Sequence, residues 1–169
     1  MTSAAVVIAI SFVACISDLR TRRIPNVLTL GSALVALAVA TFTRGAPGLL
    51  DAAGGWLVAT VIFFGPFALG GLGGGDVKLL GALGAWLGPE GAVWLSLYTG
   101  ACGGVLALAV ALRAHYLRRA LSNIWLLLSH WTVRGIGPVS EISLAGSASP
   151  RLAYGVAIFA GALVTLWLE

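Results

Sequence analysis

Six apolar runs, at residues 4–17, 27–42, 52–72, 77–87, 92–112 and 152–168, alternate with more polar stretches that hold every acidic residue and every arginine. Of 169 residues, 59% are hydrophobic and only 9% charged. That is too little charge to clothe a water-soluble domain of this size. Most of the runs approach the roughly 20 residues a helix needs to cross a hydrocarbon core of about 30 Å. The chain is therefore expected to be all-α, a polytopic membrane protein of six transmembrane helices.

The first run resembles a secretion signal in length, but no Lys or Arg precedes it and its charges follow it. It is expected to stay as a helix. Cys15 and Cys102 are the two cysteines, each inside an apolar run and with no Cys-x-x-Cys pattern, which argues against a disulfide framework or a zinc site. No metal or other cofactor is expected.

The fourth run is the weak one. Residues 77–88 make a helix of only about 18 Å. Charge asymmetry tests it independently, because Lys and Arg gather on the cytoplasmic side of short loops. With six crossings, Arg20, Arg22, Arg23, Lys78, Arg113, Arg118, Arg119, Arg134 and Arg151 share one face and Arg44 alone lies on the other. Without the fourth crossing that bias disappears. Six crossings place the amino terminus outside and the loops at 18–26, 70–76 and 113–151 in the cytoplasm. The net charge of +4 then reports topology and not a nucleic-acid partner.

Within the last of these loops Leu117, Leu121, Ile124, Leu128 and Trp131 recur at helical spacing among polar residues, which predicts an interfacial amphipathic helix on the cytoplasmic side. His115 and His130 belong to no metal or catalytic motif and read as interface anchors.

Sorted by side, Asp51, Glu90 and Glu169 fall outside and Glu141 in the long cytoplasmic loop, which leaves Asp18 and Asp76. One ends the first helix and the other begins the fourth, at the same membrane depth. Asp76 follows Leu69-Gly70-Gly71-Leu72-Gly73-Gly74-Gly75. At roughly 1 kcal/mol lost per Gly relative to Ala, this run is expected to break into a loop. Irregular backbone at that depth is tolerated only where it lines protein or a wet cavity. Two plainer readings stand beside this one: Gly70-x-x-x-Gly74 and Gly71-x-x-x-Gly75 as close helix packing, and Asp76 as the N-cap of the fourth helix. The Gly-Lys-Ser/Thr of a nucleotide loop is missing.

Asp18-Leu19-Arg20-Thr21-Arg22-Arg23-Ile24-Pro25-Asn26, joined to Gly73-Gly74-Gly75-Asp76-Val77-Lys78, resembles the type IV prepilin peptidase family, membrane aspartyl proteases of the Gly-x-Gly-Asp type. The resemblance covers essentially residues 1–169 as one membrane-embedded domain, of the small form found with Flp-type (tight adherence) pili. It implies cleavage of the leader of prepilins or prepilin-like membrane proteins at the cytoplasmic face of the bacterial inner membrane, with Asp18 and Asp76 as the catalytic pair. Pilus assembly machinery and the lipid bilayer are the implied partners. The cytoplasmic amino-terminal domain of larger members, with its paired Cys-x-x-Cys motifs, is not expected, nor is their amino-methyltransferase activity.

Two neighbouring carboxylates hydrolyse a peptide when one is ionised and takes a proton from water while the other, protonated, assists the carbonyl oxygen. Asp76 at a helix amino end and Asp18 at a helix carboxyl end suggest Asp76 as base and Asp18 as acid. Gly73, Gly74 and Gly75 are expected to let an extended substrate approach. Arg23, Pro25 and Asn26 are expected to support the site. Lys78 either tunes Asp76 or snorkels to the interface. An ion-coupled transporter using the same two acids and a non-catalytic pilus-assembly subunit remain as alternatives at this point.

Overall fold

The structure, a computed structural model, describes residues 2–113, 117, 118, 122, 125, 126, 129, 132 and 152–168. Its four long elements are helices: α1 (Thr2–Thr21), α2 (Asn26–Ala68), α3 (Gly74–Arg113) and α4 (Tyr154–Leu168). Three of them, α1, α2 and α3, are long and apolar enough to cross a membrane, and α4 is a shorter apolar helix. The expected interfacial helix falls largely outside the described residues, as do His115 and His130.

The six apolar runs are thus joined in two places. At 43 residues, α2 would be about 65 Å long if straight, more than twice the hydrocarbon core. It is not straight. Gly45 breaks it at φ 65°, ψ −150°, and Gly88 breaks α3 at φ 75°, ψ −179°. Both conformations belong to a region that is essentially reserved for glycine. Pro47 and Pro89 follow within two residues, where a helix can restart on proline. The fold-back is tight: a Cβ on Gly48 would run into the carbonyl oxygen of Ala40.

Each of these helices therefore has two arms, and the pairings fix their directions. The first arms of α2 and α3 run parallel, tied by Lys78 to Asn26 and by Trp86 Nε1 to Ser32 Oγ, 3.0 Å in each case. The second arm of α2 runs antiparallel to the first arm of α3, with Thr60 on Gly81 and Gly55 on Gly84. α4 is antiparallel to α1, through Phe12–Phe159 and Asp18–Gly155, and to the second arm of α3, through Gly161 on Thr99. Six rods alternate in direction. Asp18, Asn26, Lys78 and Tyr154 share one end of the bundle, and Gly45, Asp51 and Gly88 share the other.

The first arm of α3, the doubtful fourth run, is the centre of the fold. Residues 79–85 are all buried, so this helix is apolar on every side because it meets protein on every side. Gly55 and Gly84 approach so closely that a Cβ on either would strike the other's carbonyl oxygen. Small residues that admit close backbone contact supply the packing energy that apolar burial cannot supply between helices in lipid. Shielded by its neighbours, the short arm does not need the length of a lipid-facing span.

Candidate active site

The glycine run breaks the chain as its composition predicts, but four residues earlier than the apolar run suggests. Gly70, at φ 76°, ends α2: its N–H bonds the Phe67 carbonyl at 2.9 Å and the Gly71 N–H bonds the Pro66 carbonyl at 2.9 Å. This pair of bonds is the Schellman stop, which needs a left-handed residue such as glycine. The small-x-x-x-small packing alternative is thereby overturned, since Gly70 and Gly71 lie in the turn and not on one helix face. α3 then begins at Gly74.

Asp76 is not the N-cap. The Gly73 carbonyl accepts from Asp76 N–H at 3.1 Å, which puts Gly73 in the capping position and Asp76 three residues on. From there its carboxylate reaches back, and Oδ2 accepts the Gly73 N–H at 3.2 Å, the acidic half of a capping box. Gly74 faces the Phe67 ring, and Gly75 leaves space that the Ile24 side chain takes up.

Asp18 lies on the last turn of α1 and is only 8% exposed. Beyond it the chain doubles back through Arg22, which adopts a left-handed φ of 54°. The Arg23 carbonyl is then held by the hydroxyls of Ser17 at 2.8 Å and Thr21 at 3.2 Å. Arg23 thus enters the site's framework through its backbone, with an exposed side chain. Pro25 takes the N-cap position of α2, one residue ahead of the expected first turn, and its carbonyl accepts from Leu28 and Thr29. Asn26 Oδ1 accepts from Lys78 Nζ at 3.0 Å. The lysine therefore ties the Asp18 loop to the Asp76 helix, a role the sequence reading did not contain.

These ties hold the two loops at one end of the bundle, where Asp18 lies within electrostatic range of Asp76. The Asp18 Oδ2 accepts the Gly155 N–H at 2.9 Å, a buried bond to the first turn of α4. Each carboxylate thus meets the amino end of a helix, Asp76 that of α3 and Asp18 that of α4. The helix dipole no longer separates acid from base, which removes the expected assignment. Tyr154, one residue from Gly155, is an electrostatic neighbour of Asp76. Sequence reasoning missed Tyr154 and Gly155, because nothing in their spacing relates them to a residue 137 positions away. A separate apolar groove of about 530 Å³, lined by Val6, Ile10, Leu28, Val35 and Trp86, lies between α1 and the first arm of α2 and includes neither acid.

An all-helical bundle with helices fit to span a membrane and a pair of carboxylates gathered at one end defines a membrane protein with an acidic site. The model of the type IV leader peptidase family matches residues 5–108, which carry both acids and the glycine run. The chain belongs to that family of peptidases. No curated protein and no solved structure is similar enough to match.

Proposed function

We propose that this chain is a membrane aspartic endopeptidase that removes the leader of type IV or Flp prepilins, or of prepilin-like proteins, with Asp18 and Asp76 as its catalytic pair. The observation that carries the reading is that these two carboxylates, from α1 and α3, lie at one end of the bundle within electrostatic range of each other, in a member of a leader peptidase family. A pair of adjacent acids in a low-dielectric setting shares one proton. The ionised member takes a proton from water as the oxygen attacks the scissile carbonyl, and the protonated member donates to the carbonyl oxygen. Collapse of the tetrahedral intermediate breaks the C–N bond, the leaving nitrogen takes up a proton, and the leader departs with a new carboxylate.

The exposed backbone around Gly71 and Gly73 suits an extended peptide held by main-chain hydrogen bonds, with Lys78 and Asn26 keeping the two loops in register. We read the six alternating rods as six spans in the inner membrane, amino terminus outside. The end that bears Asp18, Asp76 and most of the basic residues then faces the cytoplasm. Leader removal from a co-expressed prepilin, read as a mass shift, tests the reading. Asp18→Asn and Asp76→Asn proteins inserted at normal levels are expected to lose cleavage. Cleavage that survives in either variant overturns the assignment.

A further inference from the structure

The family match ends at residue 108, well before α4, yet the first turn of α4 reaches Asp18. The Gly155 N–H is free for Asp18 because the first amides of a helix have no acceptor within it. The approach is tight enough that a side chain at position 155 would push on Asp18. A Cβ at position 155 would stand 3.0 Å from Asp18 Cβ, 3.1 Å from Asp18 Oδ2 and 3.3 Å from Cys15 Cα. Next to it, the Tyr154 ring sits in a notch left by Gly103, where a Cβ would come within 2.7 Å of the ring, and meets Phe63 edge-on at 6.5 Å. One residue of this turn therefore touches Asp18 while its neighbour is packed between the second arms of α2 and α3.

We propose that the first turn of α4 is a third element of the carboxylate site, which positions Asp18 through the Gly155 N–H. The proposal rests on the protease reading above. Its physical content is orientation. A carboxylate at the end of a helix swings about two side-chain torsions. One backbone donor on Oδ2 stops that motion and leaves Oδ1 as the oxygen that exchanges a proton with water or with Asp76. Bonds of this kind to a charged acceptor are stronger and shorter than neutral ones. Displacements of about 1 Å in such a constellation cost on the order of 10²-fold in rate.

The test compares two glycines of the same helix. Gly155→Ala pushes on Asp18. Gly161→Ala pushes on Thr99, where the new Cβ would stand 2.5 Å from the hydroxyl and 2.7 Å from Cα, remote from the acids. Both variants are purified in phospholipid nanodiscs, and prepilin cleavage is followed across pH alongside thermal unfolding. Gly155→Ala is expected to lower kcat by on the order of 10²-fold, with little change in KM, and to displace the pH profile of kcat/KM. Gly161→Ala is expected to lower the melting temperature at least as much and to leave the profile in place.

A Gly155→Ala enzyme with an unmoved profile and near-normal kcat overturns the positioning role and leaves the protease reading intact. Cleavage surviving in Asp18→Asn removes both. If Gly155→Ala does not insert, the ¹⁵N-labelled Gly155 amide of the unaltered protein decides. Its proton shift is expected to follow pH, and to lose that dependence in Asp18→Asn. An amide indifferent to both overturns the proposal.

Discussion

The two ends of the bundle treat their acids differently. At the end where α2 and α3 fold back, Asp51 pairs with Arg44 at 2.8 Å, and both side chains are well exposed. At the other end, Asp18 and Asp76 are held by backbone N–H groups of Gly155 and Gly73, while Lys78, two residues from Asp76, is directed to Asn26. A guanidinium neutralises an acid, whereas an amide orients one and leaves its charge to act. The contrast separates an acid used to fasten a turn from the two acids we propose as the catalytic pair.

The largest expected effect tests that contrast directly. Asp18→Asn and Asp76→Asn are each expected to reduce cleavage by on the order of 10³-fold or more, whereas Asp51→Asn is expected to leave the rate within about twofold, given how little an exposed pair contributes. Comparable losses at all three positions, measured on equally inserted protein, would erase the difference between the ends.

Next come the backbone devices. Gly88→Ala forces a side chain into a conformation reserved for glycine, with its Cβ about 3.0 Å from Asp51 Oδ1. The expected cost is about 1–3 kcal/mol, read from thermal unfolding in nanodiscs. Gly84→Ala, whose Cβ would strike the Gly55 carbonyl, is expected to cost a similar amount through overpacking, about 1–3 kcal/mol. An unchanged melting temperature in either would mean that the backbone relaxes there.

The Lys78–Asn26 tie should be worth less, because it is exposed. Lys78→Met, Asn26→Ala and the double variant are expected to show a coupling of about 0.5–1.5 kcal/mol in a double-mutant cycle. A coupling of zero would reduce Lys78 to an interfacial lysine. The smallest effect is that of Arg44→Ala, at no more than about 1 kcal/mol and fading with added salt. A loss that salt does not weaken would show that the Arg44–Asp51 pair does more than fasten the turn.

The apolar runs and the glycine content were legible along the chain because helix length, hydropathy and glycine propensity are local properties. They located apolar helical stretches, which the structure gathers into four helices with two of them broken at glycine, and the break before Asp76, and the motif pair that holds Asp18 and Asp76 pointed to the family to which the chain belongs. The ends were misjudged where a local rule met a neighbour. Apolar Leu69 and Leu72 look like helix but lie in a turn, because Gly70 takes a left-handed φ that stops α2. Between the second and third runs and between the fourth and fifth, the chain folds back through a single non-helical residue, Gly45 and Gly88, which divides α2 and α3 into two arms each.

Tertiary structure decided the rest. It placed the short first arm of α3 at the centre, where protein shields it, and gave Lys78 a partner 52 residues away. It also brought Gly155 to Asp18 across 137 residues, and so set a second helix amino end against the second acid. Composition and spacing report what each segment can do beside its own neighbours in the chain. Which carboxylate meets which backbone donor depends on how rods from distant segments pack, and the small residues that let them pack so closely reveal their partners only in three dimensions.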